Sequence, residues 1–130
     1  MQEVVPEGNK PFVDSARLAT IKENLRQCTG TENYYKGFGG YLHTDGIKFL
    51  EDDAECHWLI SDIGIVAMTF KDVPFQIWKF RCKDAIGLLT MQEDTNAPIK
   101  YEQKYSYTDF PEGEIKLYFC DGIMLLPSEY

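Results

Sequence analysis

In the second half of the chain, polarity alternates residue by residue, a pattern that commits it to strands with one dry face and one wet face. Ile115, Leu117 and Phe119 alternate with Glu114, Lys116 and Tyr118, after which Asp121-Gly122 leads into Ile123-Met124-Leu125-Leu126. Both central residues of a type I′ loop need positive φ, so Asp-Gly predicts a two-residue hairpin between these runs. Upstream, Ile99, Tyr101, Gln103, Tyr105 and Tyr107 alternate with Lys100, Glu102, Lys104, Ser106 and Thr108. Residues 75–82 and 86–93 read as two further strands joined near Lys83-Asp84, with Trp78, Phe80 and Cys82 on one face and Leu89 with Met91 as their partners. The whole predicts an antiparallel meander of four or five strands over residues 75–126.

The first half reads as helical. After an arm at residues 1–11, broken by Pro6, Gly8 and Pro11, either Asp14 or Ser15 suits an N-cap, and Leu18, Ile21, Leu25 and Cys28 follow the spacing of one buried helix face. Gly30 fits the left-handed position that closes such a helix. Tyr41, Leu42, His43 and Thr44 form a short strand, and Asp45-Gly46 a tight turn. Glu51, Asp52 and Asp53 then open a second helix over residues 52–63, where acids favour the positive end of the dipole. Trp58 from this helix and Trp78 are expected to share its interface with the sheet. Pro74 marks entry to the meander, and Pro127 ends strand pairing because it has no N–H. Beyond it Ser128, Glu129 and Tyr130 are expected to fold over the sheet edge.

Charge and cysteine spacing narrow the function classes. Twenty-one acidic residues against thirteen basic ones leave a formal charge of −8, which withholds the counterion release on which nucleic-acid binding depends. Direct nucleic-acid binding is therefore not expected, whereas an acidic mimic of nucleic acid is a possible alternative. The cysteines at 28, 56, 82 and 120 lie too far apart for a zinc site, and the first residues lack the charged and apolar regions of an export signal. Four reduced thiols in a cytoplasmic protein follow, with no membrane association, no metal and no cofactor. The Gly37-Phe38-Gly39-Gly40 stretch lacks the Gly-Lys-Ser/Thr ending of a phosphate loop and reads as a turn. His43 and His57 are the only histidines, and neighbouring Cys56 and His57 point about 100° apart on a helix, so no dyad forms and no catalytic residue is assigned. Tyr101, Tyr105 and Tyr107 serve a covered sheet face rather than a stacking platform.

Thr29-Gly30-Thr31-Glu32-Asn33-Tyr34-Tyr35, Thr44-Asp45-Gly46-Ile47-Lys48-Phe49-Leu50, Tyr107-Thr108-Asp109-Phe110-Pro111 and Leu126-Pro127-Ser128-Glu129-Tyr130 stand in order along the chain. With Trp58-Leu59-Ile60 and Phe75-Gln76-Ile77-Trp78, these blocks resemble a family of short bacterial and mobile-element proteins known as a domain of unknown function. The resemblance covers roughly residues 25–130 and implies a bacterial, non-secreted, single-domain protein; it brings no activity.

The reading is one α+β domain at residues 12–130, with two helices on one face of the sheet. Its expected role is a non-enzymatic interaction or accessory protein, a monomer or homodimer acting on a protein partner. Tyr34, Tyr35, Thr44, Asp45 and Asp109 are the candidate binding residues. The rival reading is a small enzyme with its site between the turn at residues 44–46 and the Asp109 loop.

Overall fold

The computed structural model describes residues 15–37 and 39–130, so the arm at 1–11, the alternative cap Asp14 and Phe38 lie outside the described residues. Helix α1 (Ala16–Leu25) begins at Ser15, whose hydroxyl accepts from the Leu18 N–H at 3.2 Å, and buries Leu18, Ile21 and Leu25. It stops before Gly30, which lies outside the left-handed region. The last carbonyls are taken instead by the Arg26, Gln27 and Cys28 N–H groups, which bond Lys22, Asn24 and Leu25.

The chain continues through β1 (Tyr34–Lys36), β2 (Leu42–Thr44), α2 (Asp45–Asp53), α3 (His57–Ala67) and β3 (Phe75–Lys83). It then forms β4 (Ile86–Gln92), β5 (Tyr101–Tyr105), β6 (Gly113–Cys120), β7 (Ile123–Leu125) and a 3₁₀ turn at Pro127–Glu129. Asp45-Gly46 thus opens a helix and is not a turn between strands. The Thr44 hydroxyl accepts from the Ile47 N–H at 3.4 Å, and Asp45 sits in the first turn, where its charge meets the positive end of the dipole. The single helix expected at 52–63 is two, because Glu55 takes a φ of 52° and breaks it. Glu51, Asp52 and Asp53 consequently end α2 instead of starting a helix, a placement the dipole opposes. No helix among the described residues is long and apolar enough to cross a membrane.

The sheet has seven strands in the order β1-β2-β7-β6-β3-β4-β5 and is mixed, since β2 runs parallel to β7. This corrects the expected four- or five-stranded antiparallel meander in strand number and connectivity. β3, β4 and β5 do form a meander, but β6 returns to β3, which makes a Greek key. Along the return path the Thr108 N–H bonds the Ala85 carbonyl at 2.8 Å and Phe110 packs on Phe80, ring centroids 5.3 Å apart. Asp84 and Ala85 supply the positive φ of the β3–β4 loop, as Asp121 and Gly122 do between β6 and β7.

Alternation sets the two faces. Trp78 pairs with Met91 and Leu117, and Phe80 with Leu89 and Ile115; all are buried in one core with residues of the three helices. Gln76, though polar, is buried because its amide reaches the Ala67 and Val73 carbonyls at 3.2 Å and accepts the Trp78 indole N–H at 2.8 Å. Trp58 is half-buried against Phe80 and Tyr105, at the helix–sheet interface but with no ring contact to Trp78. Tyr101 and Tyr105 lie under the helices, whereas Tyr107 stands beyond the strand and is 75% exposed. Tyr130 meets Phe75 and Tyr118, which face away from the helices, so the tail covers the outer face of the sheet rather than its edge.

Candidate functional site

Four of the five candidate residues meet where β1, β2 and α2 join. Asp45 accepts from the Glu32 and Asn33 N–H groups at 2.9 and 3.3 Å with one oxygen and from the Tyr35 hydroxyl at 3.0 Å with the other. The Glu32 bond, more than any other contact, holds its carboxyl below the usual carboxylate range. The Thr44 hydroxyl donates to Glu129 at 2.6 Å, and the Gly46 N–H reaches the second oxygen of that carboxylate at 3.1 Å. Thr44 and Asp45 are thus spent on fixing the start of α2. Tyr34, opposite Thr44, is exposed on the edge strand. Asp109 is placed elsewhere: its neighbours Thr108 and Phe110 hold it by the β3–β4 hairpin, with β6 and β7 standing between β3 and β2.

Beside this junction lies a cleft of about 590 Å³ lined by Tyr35, Tyr41, His43, Lys48, Glu51 and His57, among others. The β1–β2 register sets Tyr35 beside His43 with their rings stacked at 5.6 Å. Tyr41 fills the space beside Gly37 and Gly64, where an added Cβ would come within 2.0 and 2.1 Å of its ring, and its hydroxyl donates to the Ile60 carbonyl at 3.3 Å. Only glycine permits that approach at both positions.

Glu51, only 7% exposed, lies between the two histidines. One oxygen is 3.4 Å from His43 Nε2 and the other 3.2 Å from His57 Nδ1. On one continuous helix, positions 51 and 57 would diverge by about 120°; the break at Glu55 brings them together. Burial above all, aided by Lys48 and His57, holds the His43 imidazole below its ordinary pKa against the pull of Glu51. The neutral ring therefore carries its proton on Nε2, facing the carboxylate, and Nδ1 is left as a buried acceptor without a partner. Cys56 does not add a nucleophile: burial, then Glu51, pushes its thiol up to about 12, and Sγ faces the Leu50 carbonyl at 3.7 Å. No group of three or more His, Cys, Asp or Glu among the described residues is placed to hold a metal ion.

Residues 19–130 match the protein-family model described as Family of unknown function (DUF6876). No curated protein and no solved structure matches the chain.

Proposed function

The chain belongs to the DUF6876 family, and from the chemistry of its cleft we propose that it is a non-enzymatic accessory protein that binds a small planar group through His43. The group is a free ligand or a side chain of a protein partner, and it carries an N–H or O–H donor. The observation that carries this reading is His43: the residue lines the cleft, and its buried Nδ1 has no partner, so a donor gains it only by displacing the groups that cover it. An unpaired buried acceptor costs stability, and a donor brought by a ligand recovers it. Tyr35 and Tyr41 supply aromatic surface beside the ring. Cys56 is fully buried outside the lining of the cleft and its thiol is kept protonated, so it offers the cleft no sulfur nucleophile, which favours binding over covalent catalysis through sulfur. All four cysteines are free thiols, which fits a reducing compartment such as a cytoplasm.

The test is a nuclear magnetic resonance titration with planar amides, pyrimidines and purines as probes. The expected result is that at least one shifts the Tyr35, His43 and His57 signals, is recovered unchanged, and no longer binds the His43→Phe variant. Absence of any cleft shift, or conversion of a probe into product, would overturn the reading.

A further inference from the structure

A second concavity, sharing no residue with the cleft, runs along β6 between α1 and the tail. We propose that it is a docking groove for an extended segment of a protein partner, alternating acidic and apolar residues, which adds to β6 as a strand. β6 pairs with β3 along its whole length but with β7 only from Tyr118 to Cys120. Residues 113–117 therefore have no strand beside them on the β7 side. β7 stops because Pro127 cannot donate to a ladder, and the tail turns away so that Glu129 reaches the start of α2.

The space left is about 340 Å³, with Leu25, Ile115 and Leu126 in its wall and three cations, Lys22, Arg26 and Lys116, around it against one carboxylate, Glu114; Arg26 is paired with Glu23 at 2.8 Å. Period-two alternation gives the two sides of an added strand different surroundings. Towards the helices it meets Leu25 and Leu126, both buried apolar groups. Towards the outer face it meets Lys116, which sits directly opposite Lys79 on β3. Like charges at opposed positions of neighbouring strands destabilise a sheet. Neither lysine has a carboxylate within ion-pair distance among the described residues, while Glu114 already reaches Arg81 at 3.5 Å. Acidic side chains at every second position of the incoming strand neutralise that pair, and apolar ones between them enter the groove. On a chain of formal charge −8 the attraction is local, which suits a short segment rather than a long polyanion.

The probe is a blocked, fluorescein-labelled ten-residue peptide alternating glutamate and valine, titrated into the full chain. Saturable anisotropy is expected, together with shifts and slowed hydrogen exchange at the Glu114 and Lys116 amides. Lys116→Glu should raise Tm, because it turns repulsion from Lys79 into attraction, yet weaken the peptide about tenfold or more. A peptide alternating lysine and valine should not bind. The proposal is overturned by no saturable binding, by equal binding of the lysine peptide or by unchanged affinity in Lys116→Glu. It is equally overturned by binding that appears only after residues 1–14 are removed, which would assign the groove to the chain's own N-terminal segment.

Discussion

The sheet centre, from β6 through β5, is held by burial, whereas the corner where β1 and β2 meet α2 is held by directional polar contacts. Trp78, Phe80, Leu89, Met91 and Leu117 in the first region are all closed off from solvent. In the second, two carboxylates organise the backbone: Asp45 gathers the Glu32 and Asn33 N–H groups, and Glu129 gathers Thr44, Gly46 and Leu126. Apolar burial is non-directional and scales with area. Polar capping is worth less per residue but fixes geometry to within a hydrogen-bond length. Stability therefore resides mainly in the centre, and the shape of the cleft in the corner.

The largest expected effect belongs to the centre. Trp78→Ala should cost about 3–5 kcal/mol in chemical denaturation, since the ring is fully buried and its indole N–H holds Gln76. Trp58→Ala, at a half-buried ring, should cost about 2 kcal/mol; equal losses would erase the distinction between core and interface.

In the corner, Gly46→Ala should cost about 1–3 kcal/mol, because the new Cβ meets Glu129 Oε1 and Leu126 Cδ1 at 2.6 Å. Gly30→Ala, with nothing within 4 Å, is the control and should be close to neutral. Glu129→Gln should cost about 1–2 kcal/mol, read most clearly as faster hydrogen exchange at Gly46 and Leu126. Unchanged exchange there would return the tail to a passive cover.

The smallest effect is in pH. The folded state favours neutral His43, so the unfolded chain binds more protons once pH falls below the ordinary value of 6.5. Stability should be full above that pH and decline as pH drops towards the lower folded pKa, and His43→Gln should remove this contribution. Asp45 acts at lower pH: its contribution is present above the ordinary 3.8 and is lost as pH falls through the depressed folded value. Denaturant midpoints measured from pH 8 to pH 3 check both signs.

Period-two alternation is why the central strands and both tight hairpins could be read from residues alone. Three-residue strands such as β1 and β2 carry too little pattern to reveal their partners, and nothing local marks β2 as parallel to β7. Asp45-Gly46 has the composition of a hairpin loop, yet Thr44 in front of it is a helix cap, and tertiary contact with Glu129 decides between them. In the site, Tyr34, Tyr35, Thr44 and Asp45 proved neighbours, and Tyr34 and Tyr35 also line the cleft. His43, Glu51 and His57 escaped notice as a set because their meeting depends on one non-glycine residue at positive φ, Glu55, which no sequence signal announces.

The parallel pairing of β2 with β7 has a consequence for the order in which the molecule can be made. A chain emerging N-terminus first presents β1 and β2 long before the strand they must join, and Glu129 follows Thr44 by 85 residues. Until the last strand is released, α2 lacks the Glu129 carboxylate at its start and the β1–β2 pair has no place in the sheet. The β3–β4–β5 meander, built from near neighbours, can assemble first. The cleft is then among the last features to close, and slow or interrupted synthesis would leave its strands exposed as unpaired edges.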